Sequence, residues 1–454
     1  MATVEDLPSH VTKLDQKLAD WIPPREAWNP VDEALYKPRD LFRVPLDEAQ
    51  EMQLKAIRYA FTHHYNNNKF YHKYCREENV RPDDIKTVDE FDKIPLISDA
   101  TFKQYPKGKD FARWLATIFT GGLPQIVIKG ANPTFDDVLN AFNAAGLALM
   151  YSSGTSGRLT VIPRDMKNFV AAEYGFAKAV SSMLDLFSDD TLMCFPRPTT
   201  DLFLAKMISV IPTLSRNGDY AFDNGIPAEL TQKAMGGKTK PKGAVGSSTQ
   251  SEMLRRIVDK TGQWLEHHGK TKEKILLTGP PFLLLQIMST LQQEGKRFEF
   301  GERAQVGTGG GWKLFENARI PLVAFRKQVN DVLGIPESHC IDVYGMCEGN
   351  GWMIQCPEGH YLHVTYTYFK PLVLGEDLTP VGYGESGRFA FLDAVARSYP
   401  GFVISGDRVR MLERCPVCDR PGPVLEPEVQ RAEGEEVRGC AEQLRRILTE
   451  DLMR

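Results

Sequence analysis

With 454 residues, 42% of them hydrophobic and 25% charged, the chain has the apolar content to bury a large core as one large domain with a smaller appendage. A net charge of −4 with both signs interspersed leaves no electrostatic footprint for nucleic acid, so none is expected as a partner. No apolar run reaches the length of a membrane span, and the opening Met1-Ala-Thr-Val-Glu-Asp lacks the basic and apolar regions of a signal peptide, so the expected location is cytoplasmic.

Residues 1 to 45 are Pro-rich and weakly periodic and read as an irregular arm. From Asp47 to Tyr65, Met52, Leu54, Ile57 and Phe61 recur at helical spacing, which predicts a helix opening an N-terminal helical region. Lys274-Ile-Leu-Leu-Thr-Gly279 reads as a buried strand, and Pro280 to Gln293 as the helix that follows it. Alternation of this kind predicts an α/β fold of layered sheets and helices.

Four short tracts carry chemistry. Met150-Tyr-Ser-Ser-Gly-Thr-Ser-Gly-Arg158 places Gly154 and Gly157 among Ser152, Ser153, Thr155 and Ser156. Such a loop turns successive N–H groups and hydroxyls into one concavity, which suits a triphosphate. It is not a Walker A motif, because Gly157 is followed by Arg158 and Leu159 rather than by Lys and Ser or Thr. Gln305-Val-Gly-Thr-Gly-Gly-Gly-Trp-Lys313 misses the dinucleotide fingerprint because Trp312 stands where its third glycine belongs; the run Gly309, Gly310, Gly311 instead suggests close approach of backbone to a ligand. Ile341-Asp-Val-Tyr-Gly-Met-Cys-Glu348 is a strand-like run ending in an aromatic, a glycine and a carboxylate. In Ile404-Ser-Gly-Asp-Arg-Val-Arg410, Asp407 follows what reads as a turn glycine and is placed to accept hydrogen bonds from a ribose diol.

In order and spacing these tracts resemble the adenylate-forming superfamily of acyl-CoA ligases, luciferases and peptide-synthetase adenylation domains. The resemblance implies an adenylate-forming large domain over 46–405, with Gly384-Glu-Ser-Gly-Arg388 and Phe389-Ala-Phe-Leu as the turn and strand before the Gly-Asp motif. It implies ATP held by the 152–157 loop, with Thr155 and Ser156 on phosphate, Tyr344 and Gly345 at adenine, Glu348 near Mg²⁺ and Asp407 on the ribose. Cys347 departs from the pattern: the family has a threonine there facing the α-phosphate, and a thiol is a poorer donor. The segment 406–454 reads as a short replacement for the family's mobile C-terminal domain, whose lysine motif is not found; Lys313 is the candidate cation in its place.

Within the superfamily, Phe70-Tyr-His-Lys, Asp84-Ile-Lys-Thr-Val-Asp-Glu-Phe and Ile94-Pro-Leu-Ile-Ser-Asp look like the entry helices of the phenylacetate-CoA ligase branch. Gly309-Gly-Gly-Trp-Lys313 and Arg438-Gly-Cys-Ala441 look like the acyl-protein synthetases of bacterial bioluminescence. That likeness implies activation of a fatty or aromatic carboxylic acid as its adenylate, acyl transfer to Cys440, and delivery to an acyl reductase partner. Cys440 lies in an amphipathic stretch where Arg438, Arg445 and Arg446 favour the nucleophilic thiolate. Two further possibilities stay open: a ligase that uses free CoA as acceptor, and a non-catalytic nucleotide-binding subunit.

Among the remaining cysteines, Cys75, Cys194 and Cys340 stand in no motif and read as packing residues. Cys415-Pro-Val-Cys418 has the spacing of a zinc half-site, and Cys356, His360 and His363 offer the remaining ligands. Unconnected turn cysteines are the alternative. Trp312, Trp352 and Phe282 are candidate walls for the acid's pocket.

Overall fold

The computed structural model describes residues 9–130, 132–152, 159–199, 201–222, 244–312 and 318–432. In chain order it lays down β1 (Ile97–Ser98), a hairpin of β2 (Leu147–Tyr151) and β3 (Val161–Asp165), then β4 (Asp190–Met193), β5 (Asn217–Tyr220), β6 (Ile275–Gly279), β7 (Ala304–Gly309) and β8 (Cys340–Tyr344). There follow β9 (Met353–Gln355), β10 (Leu362–Val364), β11 (Phe369–Leu374), β12 (Ser386–Asp393), β13 (Phe402–Leu412), β14 (Val424–Leu425) and β15 (Gln430–Arg431).

Strands β5, β4, β6, β7 and β8 pair in that order and in parallel. Parallel pairing needs crossovers, and helices Ala244–His268, Pro281–Gln293 and Leu322–Leu333 supply them. Helices on a sheet face explain why β6, Ile275-Leu-Leu-Thr-Gly279, is buried along its whole length. At β8 the sheet changes character. β9, β10 and β14 continue it antiparallel, and β13 carries it on to β12 and β11. The expected layered α/β architecture is therefore present, as one large mixed sheet with a separate two-stranded hairpin of β2 and β3.

The predicted helix from residue 47 runs from Leu46 to Asn67 and buries Ile57 and Phe61, with Met52 and Leu54 only partly covered. The expectation of an irregular arm over 1–45 fails for its described part. Helix Pro30–Tyr36 buries Val31, Ala34 and Leu35 in the main core because Asn29 caps it, accepting from the Val31 and Asp32 amides while Asp32 bonds back to the Asn29 N–H. Of the three stretches read as entry helices, only the first is an α-helix, Lys69–Glu77; Val88–Lys93 is 3₁₀, and Ile97–Ser98 is β1 paired with β13. Gly406 and Asp407 do not follow a turn. They lie inside β13, which runs unbroken from 402 to 412 across the boundary expected at 405.

Candidate functional site

In an open sheet the carboxyl ends of parallel strands, at the point where the strand order reverses, leave a crevice for a ligand. Here β4 has β5 on one side and β6 on the other, and a cleft of about 610 Å³ opens at those strand ends. Its walls include Phe195 after β4, Thr278 of β6, Gly307–Gly309 of β7 and Asp342–Tyr344 of β8. Asp407 of β13 and Arg431 of β15 close the opposite side.

Two of the sequence motifs meet directly. The Tyr344 hydroxyl donates to Asp407 Oδ2 at 2.6 Å, and Arg431 Nη1 lies 2.8 Å from Asp407 Oδ1. Burial and the neighbouring carboxylate raise the Tyr344 phenol well above its ordinary pKa, so it remains a donor. The next residue has to be glycine: a Cβ on Gly345 would stand 2.5 Å from the Trp352 ring. Gly310 and Gly311 leave β7 with φ of 79° and 65°, the left-handed conformation that the glycine run makes accessible at the cleft wall.

Glu348 is buried at 7% exposure and accepts a 2.7 Å hydrogen bond from the Thr160 hydroxyl. Burial pushes its carboxyl pKa up, and the Lys103 ammonium opposes the shift. Lys103 itself is ion-paired with Asp99, and all four of these residues line the cleft. Burial pulls the Lys103 pKa down, but the carboxylates of Glu348 and Asp99 outweigh it and leave the pKa raised. The cluster therefore joins two carboxylates to one fixed cation. Neither Lys103 nor Thr160 stands in a sequence motif, although Lys103 follows Asp99, the last residue of the Ile94-Pro-Leu-Ile-Ser-Asp stretch, by one helical turn.

The backbone that carries Glu348 is braced by a buried arginine. Arg164 of β3 donates from Nη2 to the Cys347 carbonyl at 2.7 Å and from Nε to Asn350 Oδ1 at 3.2 Å, while the Tyr399 hydroxyl donates to the Glu348 carbonyl at 3.1 Å. Cys347 lines the cleft, but its thiol lies 3.9 Å from the Met150 carbonyl and burial raises its pKa far above the ordinary thiol range. It remains a neutral thiol, a weaker hydrogen-bond donor than a threonine hydroxyl.

Another part of the cleft is apolar. Phe176, Val180, Leu184, Phe203, Ile208 and Ile211 form one flank, and Trp352 stacks parallel to Phe203 at 5.9 Å. Trp312 and Trp352 line the cleft as expected; Phe282 instead packs with the second core cluster beneath the parallel strands. Ser152 lines the cleft and accepts from the Thr160 amide at 2.9 Å. Ser153, Gly154, Thr155, Ser156, Gly157, Lys313 and Cys440 lie outside the described residues.

Of the five potential zinc ligands, Cys356, His363, Cys415 and Cys418 come together and His360 does not. His360 occupies the turn between β9 and β10 with φ 57°, its N–H bonded to the Cys356 carbonyl, whereas His363 stands on β10 itself. Cys75, Cys194 and Cys340 are buried, as expected for packing residues, and burial raises each thiol pKa to about 12. Among the described residues no helix is long and apolar enough to cross a membrane.

Residues 244–449 match the model of the family described as acyl-protein synthetase, LuxE. The chain is 24% identical over 411 residues to the long-chain-fatty-acid–luciferin-component ligase of Aliivibrio fischeri, covering 89% of this chain and 91% of that protein. It is 23% identical over 401 residues to the ligase of the same name from Vibrio harveyi, covering 87% and 88%. Among solved structures, 2-hydroxyisobutyryl-CoA ligase in complex with 2-HIB-AMP and CoA, in its thioesterification state, superposes with a TM-score of 0.58 at 15% identity over 90% of this chain and 72% of that one. An open conformation of the same ligase gives 0.57, covering 90% and 74%. In sequence the chain is similar to the LuxE acyl-protein synthetases, and its fold is that of the CoA ligase on which it superposes.

Proposed function

We propose that this chain is an ATP-dependent ligase that activates a fatty or aromatic carboxylic acid as its acyl-adenylate and transfers the acyl group to Cys440, from which an acyl reductase partner takes it. One observation carries the reading: the Tyr344–Asp407 pair and the Glu348–Thr160–Lys103 cluster stand in one cleft, and that cleft has an apolar flank. The first pair suits a ribose and its base, the cluster suits phosphates, and the apolar flank suits an acyl chain.

Adenylation brings two anions together. The acid's carboxylate oxygen attacks the α-phosphorus of ATP, a P–O bond forms, and pyrophosphate leaves with the displaced electron pair. Lys103, held by Asp99 beside Glu348, is the cation that offsets the charge, taking the role expected of Lys313. Glu348, with the Thr160 hydroxyl bonded to it, would hold Mg²⁺, which would supply Lewis-acid neutralisation of the phosphates. In the second half-reaction the Cys440 thiolate attacks the acyl carbonyl, a thioester forms and AMP leaves. The luciferin-component ligases that this chain resembles are named for long-chain fatty acids, which agrees with the apolar flank. A cytoplasmic location goes with ATP as substrate.

The test is intact-protein mass after incubation with ATP, Mg²⁺ and a panel of fatty and aromatic acids, for wild type and Cys440→Ala. An ATP-dependent acyl adduct in the wild type, lost in the variant while acyl-AMP still forms, is the expected result. An adduct retained in Cys440→Ala overturns the assignment of the acceptor. AMP release that rises with CoA and leaves no adduct makes the chain a CoA ligase, and absence of pyrophosphate exchange with every acid removes the enzyme reading.

A further inference from the structure

We propose that Cys356, His363, Cys415 and Cys418 bind a single structural zinc ion that fastens the β9–β10 hairpin to the loop leaving β13. The two halves of the cluster are remote in sequence, yet the four ligand atoms all lie within 4.8 Å of one another. Cys356 Sγ and Cys415 Sγ are 4.0 Å apart, and Cys418 Sγ is 3.2 Å from His363 Nε2. A tetrahedral ion with Zn–S about 2.3 Å and Zn–N about 2.0 Å sets its ligands about 3.5–3.8 Å apart, so the cluster needs only small adjustments to hold one.

Neither a disulfide nor simple packing accounts for the cluster as well. A disulfide has its sulfurs about 2.05 Å apart, and these cysteines are free. Unconnected packing cysteines have no reason to converge on a histidine nitrogen, nor to have the surroundings of a thiolate. The Cys418 amide points at Cys415 Sγ at 3.4 Å, the N–H to sulfur bond of a metal knuckle. Three thiolates and a neutral imidazole around a dication leave one negative charge, and a buried guanidinium stands beside it: Arg420, 7% exposed, interacts with Cys418 and holds Glu358 at 2.8 Å. Three sulfurs and one nitrogen select a soft tetrahedral ion over Mg²⁺, and four protein ligands leave no open position for catalysis.

The site has a mechanical consequence. His363 follows Leu362 on β10, and Leu362 lines the cleft. Cys415 follows β13, the strand that carries Asp407, and β14 pairs with both β10 and β13. Zinc at this point fixes the antiparallel part of the sheet behind the nucleotide end of the cleft.

Elemental analysis of the purified full-length chain is expected to give one zinc per chain. The metal should be lost in Cys415→Ser/Cys418→Ser and in His363→Ala, and retained in His360→Ala. Substoichiometric zinc, or iron in its place, overturns the proposal, as does zinc retained in the double cysteine variant. To keep the test independent of whether those variants fold, the wild type is also exchanged with Co²⁺. Intense visible bands of tetrahedral thiolate-bound cobalt are expected, and an octahedral spectrum or no uptake overturns the site.

Discussion

Tyr344 donates its hydroxyl to Asp407 across 2.6 Å, joining the end of β8 to the middle of β13 on the far side of the cleft. The two residues come from separate sequence motifs, and Arg431 holds the second oxygen of the same carboxylate. Asp407 is thus aimed before any ligand arrives, which is the condition for recognising a diol without a reorganisation penalty.

Asp407→Asn keeps the shape and removes the charge. A hydrogen bond to a charged acceptor is worth about 1.5–3 kcal/mol, so the KM for ATP in pyrophosphate exchange should rise roughly 10- to 100-fold with a smaller change in kcat. Tyr344→Phe frees one carboxylate oxygen but loses the orienting bond, and should fall between wild type and Asp407→Asn. An unchanged KM for ATP in Asp407→Asn would remove the ribose assignment.

Lys103 is the cation that faces Glu348, and its removal should act on the chemical step. Lys103→Ala is expected to lower kcat of adenylation about 10²–10³-fold, the scale of losing one preorganised charge. Lys103→Arg should recover part of it, because the charge is kept while the compact ammonium becomes a planar fork. Asp99→Asn separates catalysis from packing: it breaks the same ion pair yet leaves the cation, so its activity should stay well above that of Lys103→Ala. Equal losses in the two would mark the pair as structural.

Glu348→Gln tests the metal end of the cleft. With one anionic oxygen donor gone, the Mg²⁺ concentration for half-maximal activity should rise about tenfold or more, while the melting temperature holds, because the buried carboxylate is itself disfavoured by desolvation. An unaltered Mg²⁺ dependence would place the metal elsewhere.

Local patterns made part of this site readable. Tyr344, Glu348 and Asp407 each stand in a short motif whose spacing survives in the fold, and β6 with the helix after it announces itself by an apolar run and a proline. Thr160 and Arg164 carry no such mark, because their roles arise from contact with Glu348 and Cys347, 188 and 183 residues away, and depend on how β3 packs against the end of β8. The choice of His363 over His360 depends on the left-handed turn at His360 and on the register of β10, neither of which the spacing encodes. The helix at Pro30 is missed within the stretch read as an irregular arm, because the high proline content around it obscures the Asn29-Pro30 start ahead of Val31 and Leu35.

Glu173 gives the fold a pH dependence of its own. It sits on helix Met166–Ser181, one turn before Phe176 of the apolar flank, and burial pushes its carboxyl pKa from 4.5 to about 8 against the opposing pull of the Ser209 hydroxyl and the Lys206 charge. A carboxyl whose pKa is raised by folding contributes stability that is complete below its unfolded value and is lost as pH rises through the folded one. The contribution is therefore full below about pH 4.5 and fades between there and about pH 8. Glu173→Gln carries no ionisable proton, so its stability relative to wild type should increase steadily across that window and level off above it. Urea unfolding of both proteins at several pH values checks this, and parallel stability curves would mean that Glu173 is solvated in solution.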